Sequence, residues 1–129
     1  MILVDTSAWI GFFRDQAPVA EILDRILEDD EAAICGPILT ELRRGLVGAA
    51  ERRKTLPLLS ACHPLSQPQN LWNEAGELGY ALARKGITVK SLDLLIACHA
   101  LVHDVPILTL DKDFRLMAGA GVGLRLIEL

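Results

Sequence analysis

MILVDTSAWIGFF, residues 1–13, sets three aliphatic side chains, Ile2 to Val4, directly before Asp5; Thr6 and Ser7 follow before the chain turns apolar again at Ala8 and Trp9. A short unbroken apolar run reads as a strand buried on both faces. A carboxylate at the end of such a strand costs on the order of several kcal/mol unless something pairs with it. Asp5 therefore either caps a helix over Thr6–Phe12 or holds a cation.

The pattern repeats outward from this stretch. Val19, Ile22, Leu23, Ile26 and Leu27 recur at helical spacing behind Pro18. Glu28 to Glu31 reads as a solvated turn, and Ala32–Cys35 as a buried strand ended by Gly36-Pro37. Ile38 to Leu46 predicts a helix, and Glu51–Leu59 another, with Pro57 marking a limit. Ala61–Leu65 is a weak strand. Leu71, Ala75, Leu78 and Leu82 stripe a helix that stops at Gly86, and Ser91 is placed to cap the next. Pro106–Leu110 and Leu124–Ile127 complete the strands. Short apolar strands alternating with amphipathic helices imply an α/β fold with a parallel sheet covered on both faces. No linker, repeat or low-complexity segment interrupts it, so residues 1–129 read as a single domain.

Composition narrows the function classes. The chain is 51% hydrophobic with a net charge of −4, so nothing in its bulk charge attracts nucleic acid; such a substrate needs a local basic patch or metal ions. Cys35, Cys62 and Cys98 lie in small or apolar surroundings without CxxC spacing and read as free, reduced, buried thiols. No apolar run is long enough to span a membrane, and Asp5 breaks the one at the N-terminus, so a soluble cytoplasmic protein is expected.

In an open α/β sheet the site lies beyond the C-terminal ends of the strands. Asp5 follows the first strand and Asp111 follows Ile107–Leu110. Glu41 lies in the early turns of the helix after Ala32–Cys35, and Asp93 in the first turn of the helix begun at Ser91. Four carboxylates at one edge raise each other's pKa values unless a counter-charge intervenes. Hard divalent cations, Mg²⁺ or Mn²⁺, take such oxygens and activate water for phosphodiester attack. Each acid taken singly also has a plain role, Asp5 and Asp111 as helix caps, Asp93 as a first-turn residue favoured by the helix dipole and Glu41 as a solvated helix position. Against that, Glu41 and Asp93 both stand among apolar neighbours. Asp113, two residues past Asp111, falls where the free N–H groups of a starting helix favour a carboxylate, with a second metal-binding role left open.

The segments ILVDTSAWI, ILTELRRG, SLDLLIACHA and ILTLDKDF, in that order, resemble the PIN domain, and more narrowly the VapC-type toxin ribonucleases of toxin–antitoxin modules. The resemblance spans essentially the whole chain. It implies a three-layer sandwich around a five-stranded parallel sheet and an acidic quartet of Asp5, Glu41, Asp93 and Asp111. It also implies supporting hydroxyls at Thr6, Ser7 and Thr109. The activity implied is Mg²⁺- or Mn²⁺-dependent endoribonuclease action, and the partners are an RNA substrate, a small antitoxin and a second copy of the chain. Trp9, Phe12, Phe13 and Trp72 are candidate interface aromatics.

Other constellations carry less. His99 and His103 have zinc-ligand spacing, but HALVH lacks the glutamate of the metalloprotease motif, and exposed helix histidines are commoner. Arg43 and Arg44, close after Glu41, are candidate RNA phosphate contacts, whereas Arg52-Arg53-Lys54 reads as a solvated face. Two competing functions remain. A haloacid-dehalogenase-like phosphohydrolase with Asp5 as nucleophile wants an acid two residues on, where Ser7 stands. A catalytically inactive PIN-fold binding module does not need the intact quartet.

Overall fold

The computed structural model describes residues 1–129. The elements follow in the order β1 (Ile2–Val4), α1 (Thr6–Phe13), α2 (Val19–Glu28), β2 (Ala32–Ile34), α3 (Gly36–Gly45) and α4 (Ala49–Ala61). After these come β3 (His63–Pro64), α5 (Leu71–Ala83), α6 (Ser91–His103), β4 (Ile107–Leu108) and α7 (Lys112–Gly119). The sheet has the order β3-β2-β1-β4 and every pairing is parallel. The chain steps outward from β1 to β3, then crosses back to β4. The strand order thus reverses between β1 and β4, the place where an open α/β sheet leaves a crevice beyond its strand ends.

The sheet has four strands, not five. Leu124–Ile127 contributes a single parallel bridge, Leu126 to Ile107, made by two hydrogen bonds, Ile107 N–H to the Arg125 carbonyl and Ile127 N–H to the Ile107 carbonyl. The physical reason lies in β4, which is two residues long. Successive residues turn their backbone groups to opposite edges. Leu108 faces β1, where its carbonyl accepts the Asp5 N–H, and only Ile107 is left to pair with the last segment. On the β1 side the Leu110 N–H donates to Ser7 Oγ at 2.9 Å. Two further boundaries move. Ala61 belongs to α4, so β3 keeps only two residues, and α4 runs through Pro57 rather than stopping there. Ser91 is the first helical residue of α6, with Lys90 in the cap position.

One apolar cluster of 27 buried residues lies between sheet and helices. Leu3, Val4, Ile107 and Leu108 supply its sheet layer, and Trp9, Leu23, Ile38, Leu82, Ile96 and Phe114 its helical layers. Trp9 is fully buried, so it is a core residue and not an interface aromatic. Cys35, Cys62 and Cys98 are all free and buried, and burial pushes the Cys35 thiol up to about 12 and the Cys62 thiol up to about 11. No helix is long and apolar enough to cross a membrane.

Candidate metal centre

Four separate element ends converge on the crevice. Asp5 stands between β1 and α1, its N–H bonded to the Leu108 carbonyl of the neighbouring strand at 3.0 Å. Its carbonyl accepts the N–H groups of Ala8 and Trp9, which starts α1. The carboxylate itself makes no capping bond. Oδ2 instead accepts Ser7 Oγ at 2.8 Å and Thr109 Oγ1 at 2.9 Å. Of the two roles open to Asp5, the backbone takes the cap position while the side chain turns to the crevice.

Thr109 joins the two halves of the site. Its hydroxyl donates to Asp5 and accepts the Asp111 N–H at 3.0 Å. Asp111 Oδ1 in turn accepts the Asp113 N–H at 2.9 Å, which makes Asp111 the N-cap of α7. The free helix N–H expected to favour Asp113 is thus taken by Asp111. On the other flank Thr6 Oγ1 donates to Glu41 Oε1 at 2.8 Å, tying α1 to α3.

Asp93, in the first turn of α6, meets Asp111 and Asp113. One carboxylate oxygen from each lies within 4.8 Å of the others. The quartet is therefore not a single cluster. The close trio contains Asp113 in place of Asp5 and Glu41, which stand near enough to raise the Asp93 pKa but outside that spacing. The signal for Asp113 was present in the Asp-Lys-Asp spacing. A cap side chain that reaches the N–H two residues on brings that residue's own side chain alongside it.

Electrostatics separate the acids. Burial raises the Asp5 pKa, against the lowering effect of its hydrogen bonds to Ser7 and Thr109. Burial and then the charges of Asp111, Asp5, Asp113 and Glu41 push Asp93 up to about 6. Asp93 Oδ2 is buried and has no hydrogen-bond partner. A buried acceptor left orphaned beside two further carboxylates is a poor arrangement for the protein alone. It fits a hard divalent cation that takes oxygen ligands and keeps several waters. Asp93, Asp111 and Asp113 would hold the ion, with Asp5 and Glu41 adjoining.

The remaining candidates separate cleanly. His99 is buried, not exposed, and its Nδ1–H donates to the Leu95 carbonyl, while His103 Nε2–H donates to the Ser66 carbonyl. Each histidine thus has one ring nitrogen taken by a backbone carbonyl, and neither belongs to a group of three possible metal ligands. Arg43 and Arg44 are exposed in the last turn of α3 and make no ion pair with the carboxylates. Arg52 is structural, since its Nη1 donates to the carbonyls of Arg43 and Leu46 and closes the C-terminus of α3. A nucleophilic role for Asp5 conflicts with its burial and with the two hydroxyls fixed on Oδ2.

Comparison with known proteins gives the family and the fold. The family model of the PIN domain matches residues 2–120. Ribonuclease VapC11 of Mycobacterium tuberculosis is 33% identical over 123 residues, covering 92% of each chain. Ribonuclease VapC21 of the same organism is 33% identical over 122 residues, covering 90% of this chain and 85% of its own. Among solved structures, VapBC2 from Rickettsia felis bound to a DNA fragment from its promoter superposes with a TM-score of 0.78 at 22% identity over 98% of both chains. VapBC-5 from Mycobacterium tuberculosis gives 0.68 at 27% identity over 98% of this chain and 97% of its own. With the family model spanning nearly its whole length and VapC relatives at a third identity, the chain belongs to the PIN-domain family, in its VapC branch.

Proposed function

We propose that the chain is a Mg²⁺- or Mn²⁺-dependent endoribonuclease and the toxin of a toxin–antitoxin pair, built as one PIN domain over residues 1–129. The observation that carries this is the orphaned, buried Oδ2 of Asp93 beside Asp111 and Asp113. The names of the relatives give the substrate class. Asp93, Asp111 and Asp113 would hold a Mg²⁺ or Mn²⁺, which would supply Lewis-acid activation of water and of the leaving oxygen. The protein's own share is positional. Thr109 and Ser7 hold Asp5, Thr6 holds Glu41, and the α7 cap holds Asp111 against Asp113. Asp5, Glu41, Asp93 and Asp111 are the catalytic and metal-binding acids of this reading, with Asp113 added as a third member of the close trio. Arg43 and Arg44 are exposed and unpaired, as phosphate contacts need to be.

The test is cleavage of single-stranded RNA in Mn²⁺, repeated in excess EDTA and with Asp93→Asn. Activity lost in both controls is the expected result; full activity in EDTA would sink the metal reading. The solved neighbours described as toxin–antitoxin complexes support a small antitoxin partner whose Arg or Lys would neutralise the carboxylates. A homodimer is supported by exposed Trp72 and Tyr80, and light scattering at micromolar concentration checks it. Three buried free thiols suit a cytoplasmic location.

A further inference from the structure

A second cavity opens beside the carboxylates and away from the metal trio. Thr6 and Glu41 form its inner end, α1 gives Ile10, Phe13 and Arg14, the end of α3 gives Leu42 and Leu46, and Glu51 from the first turn of α4 closes the rim. Its volume is about 260 Å³. Pockets for drug-sized ligands run from roughly 300 Å³ upward, so this one suits a single planar ring system. Phe13 lines it while lying on the buried Trp9 ring, 5.8 Å between centroids at 29°, so the aromatic wall is held in place from behind. Arg14 and Glu51 are exposed and belong to none of the chain's ion pairs. Two opposite, unpaired charges thus stand at the rim of a partly apolar slot, with the Glu41 carboxylate at its inner end, next to the proposed cleavage site.

We infer that this cleft, formed by α1, the end of α3 and the start of α4, is a subsite for one unpaired guanine base of the RNA substrate. The inference rests on the ribonuclease reading above. Unpaired bases are recognised by stacking on aromatic or guanidinium planes and by hydrogen bonds to their edges. Of the four bases only guanine presents two adjacent donors, N1–H and N2–H, with an acceptor, O6, beside them. A carboxylate takes the two donors and a guanidinium the acceptor, so Glu51 and Arg14 match that edge. Adenine, cytosine and uracil each set an acceptor against Glu51. The scarcity of aromatic residues, 5% of the chain, makes a slot walled by one fixed ring the more economical way to read a base.

The experiment has two arms. A pool of short RNAs randomised in sequence is cleaved in Mn²⁺ by wild-type protein and by Glu51→Gln, and the ends are sequenced. Wild type should enrich guanine at one position near the broken bond by about tenfold, the scale of discrimination by a bidentate pair, and Glu51→Gln should drop that ratio below about twofold. In the second arm GMP, AMP, CMP and UMP are titrated in EDTA while the methyl resonances of Ile10, Leu42 and Leu46 are followed; GMP alone should shift them strongly. Cleavage without guanine enrichment, or enrichment unchanged in Glu51→Gln, overturns the subsite and leaves the nuclease reading intact. Absence of any Mn²⁺-dependent cleavage overturns both. Shifts caused by a hexa-arginine peptide but by no mononucleotide overturn the subsite in favour of a protein-binding cleft.

Discussion

Asp5 and Asp93 are buried almost equally, 4% and 8% exposed, yet the fold treats them in opposite ways. Asp5 follows a strand and receives two hydroxyl donors on one oxygen. Asp93 sits in the first turn of a helix with one oxygen buried and unpartnered, facing two more carboxylates. Asp5 is a strut held by two hydroxyls, although burial still raises its pKa. Asp93 has no such donor on its buried oxygen. The difference shows that burial alone does not decide whether a carboxylate is partnered; the segment packed opposite it does.

Removing the Asp93 charge should break that contrast most sharply. Asp93→Asn is expected to lower Mn²⁺-dependent cleavage by more than about 100-fold, beyond the effect usual for outer-sphere partners. The same variant should melt higher than wild type in EDTA, because a buried repulsion is gone, and gain less from added Mn²⁺. A wild-type-like response to Mn²⁺ in calorimetry would place the ion elsewhere.

The pH dependence of the metal-free protein comes next. The Asp93 carboxyl is raised from 3.8 to about 6. Between those values the folded state binds more protons than the unfolded one, so stability falls as pH rises. Below about 4 the group is protonated in both states and the penalty is absent; above about 6 it is fully present, on the order of 3 kcal/mol. Asp5, raised by burial, acts in the same direction. Thermal midpoints in EDTA should therefore decline from pH 4 to 6.5, and saturating Mn²⁺ should flatten the decline. A midpoint that rose over this range would contradict the raised pKa.

Thr109→Val should turn Asp5 from strut toward orphan. It removes a donor from Asp5 and the acceptor of the Asp111 N–H at once. The expected cost is about 1–3 kcal/mol in urea unfolding, with roughly tenfold lower activity. Thr109→Ser should restore both, which a purely steric role for the side chain would not require.

Asp111 combines the two behaviours, capping α7 while joining the trio. Asparagine caps as well as aspartate, whereas alanine loses about 0.5–2 kcal/mol. Asp111→Asn and Asp111→Ala should both lose metal affinity, measured by calorimetry, but only the alanine variant should lose stability. The smallest effect is expected from Arg43→Ala and Arg44→Ala. Each should weaken RNA binding severalfold and reduce the salt slope by about 1, leaving metal binding untouched.

What the sequence determined by itself is the positions of the acids along the chain. Ile2–Val4 before Asp5, and Ile107-Leu108 before the turn that holds Asp111, are local patterns. Short apolar runs must be buried strands, and a carboxylate just past one must emerge at the sheet's C-terminal edge. Ser91 and the apolar stripe behind it likewise marked the helix that carries Asp93, off by one residue in the cap. Tertiary structure alone decided how those acids divide. The bonds that separate Asp5 from Asp93 come from Thr109 to Asp5 and from Leu110 to Ser7, between segments brought together only when β4 packs beside β1. The Leu110–Ser7 bond also closes the β1–β4 ladder, because an N–H given to a hydroxyl is no longer free for it, and the last segment keeps one bridge because only Ile107 of the two-residue β4 faces it. Burial of His99 and the capping of α3 by Arg52 were equally invisible from spacing, since each depends on which neighbour the fold sets opposite. A linear pattern states which groups are charged and which are apolar; whether a buried charge finds a partner depends on contacts a hundred residues away.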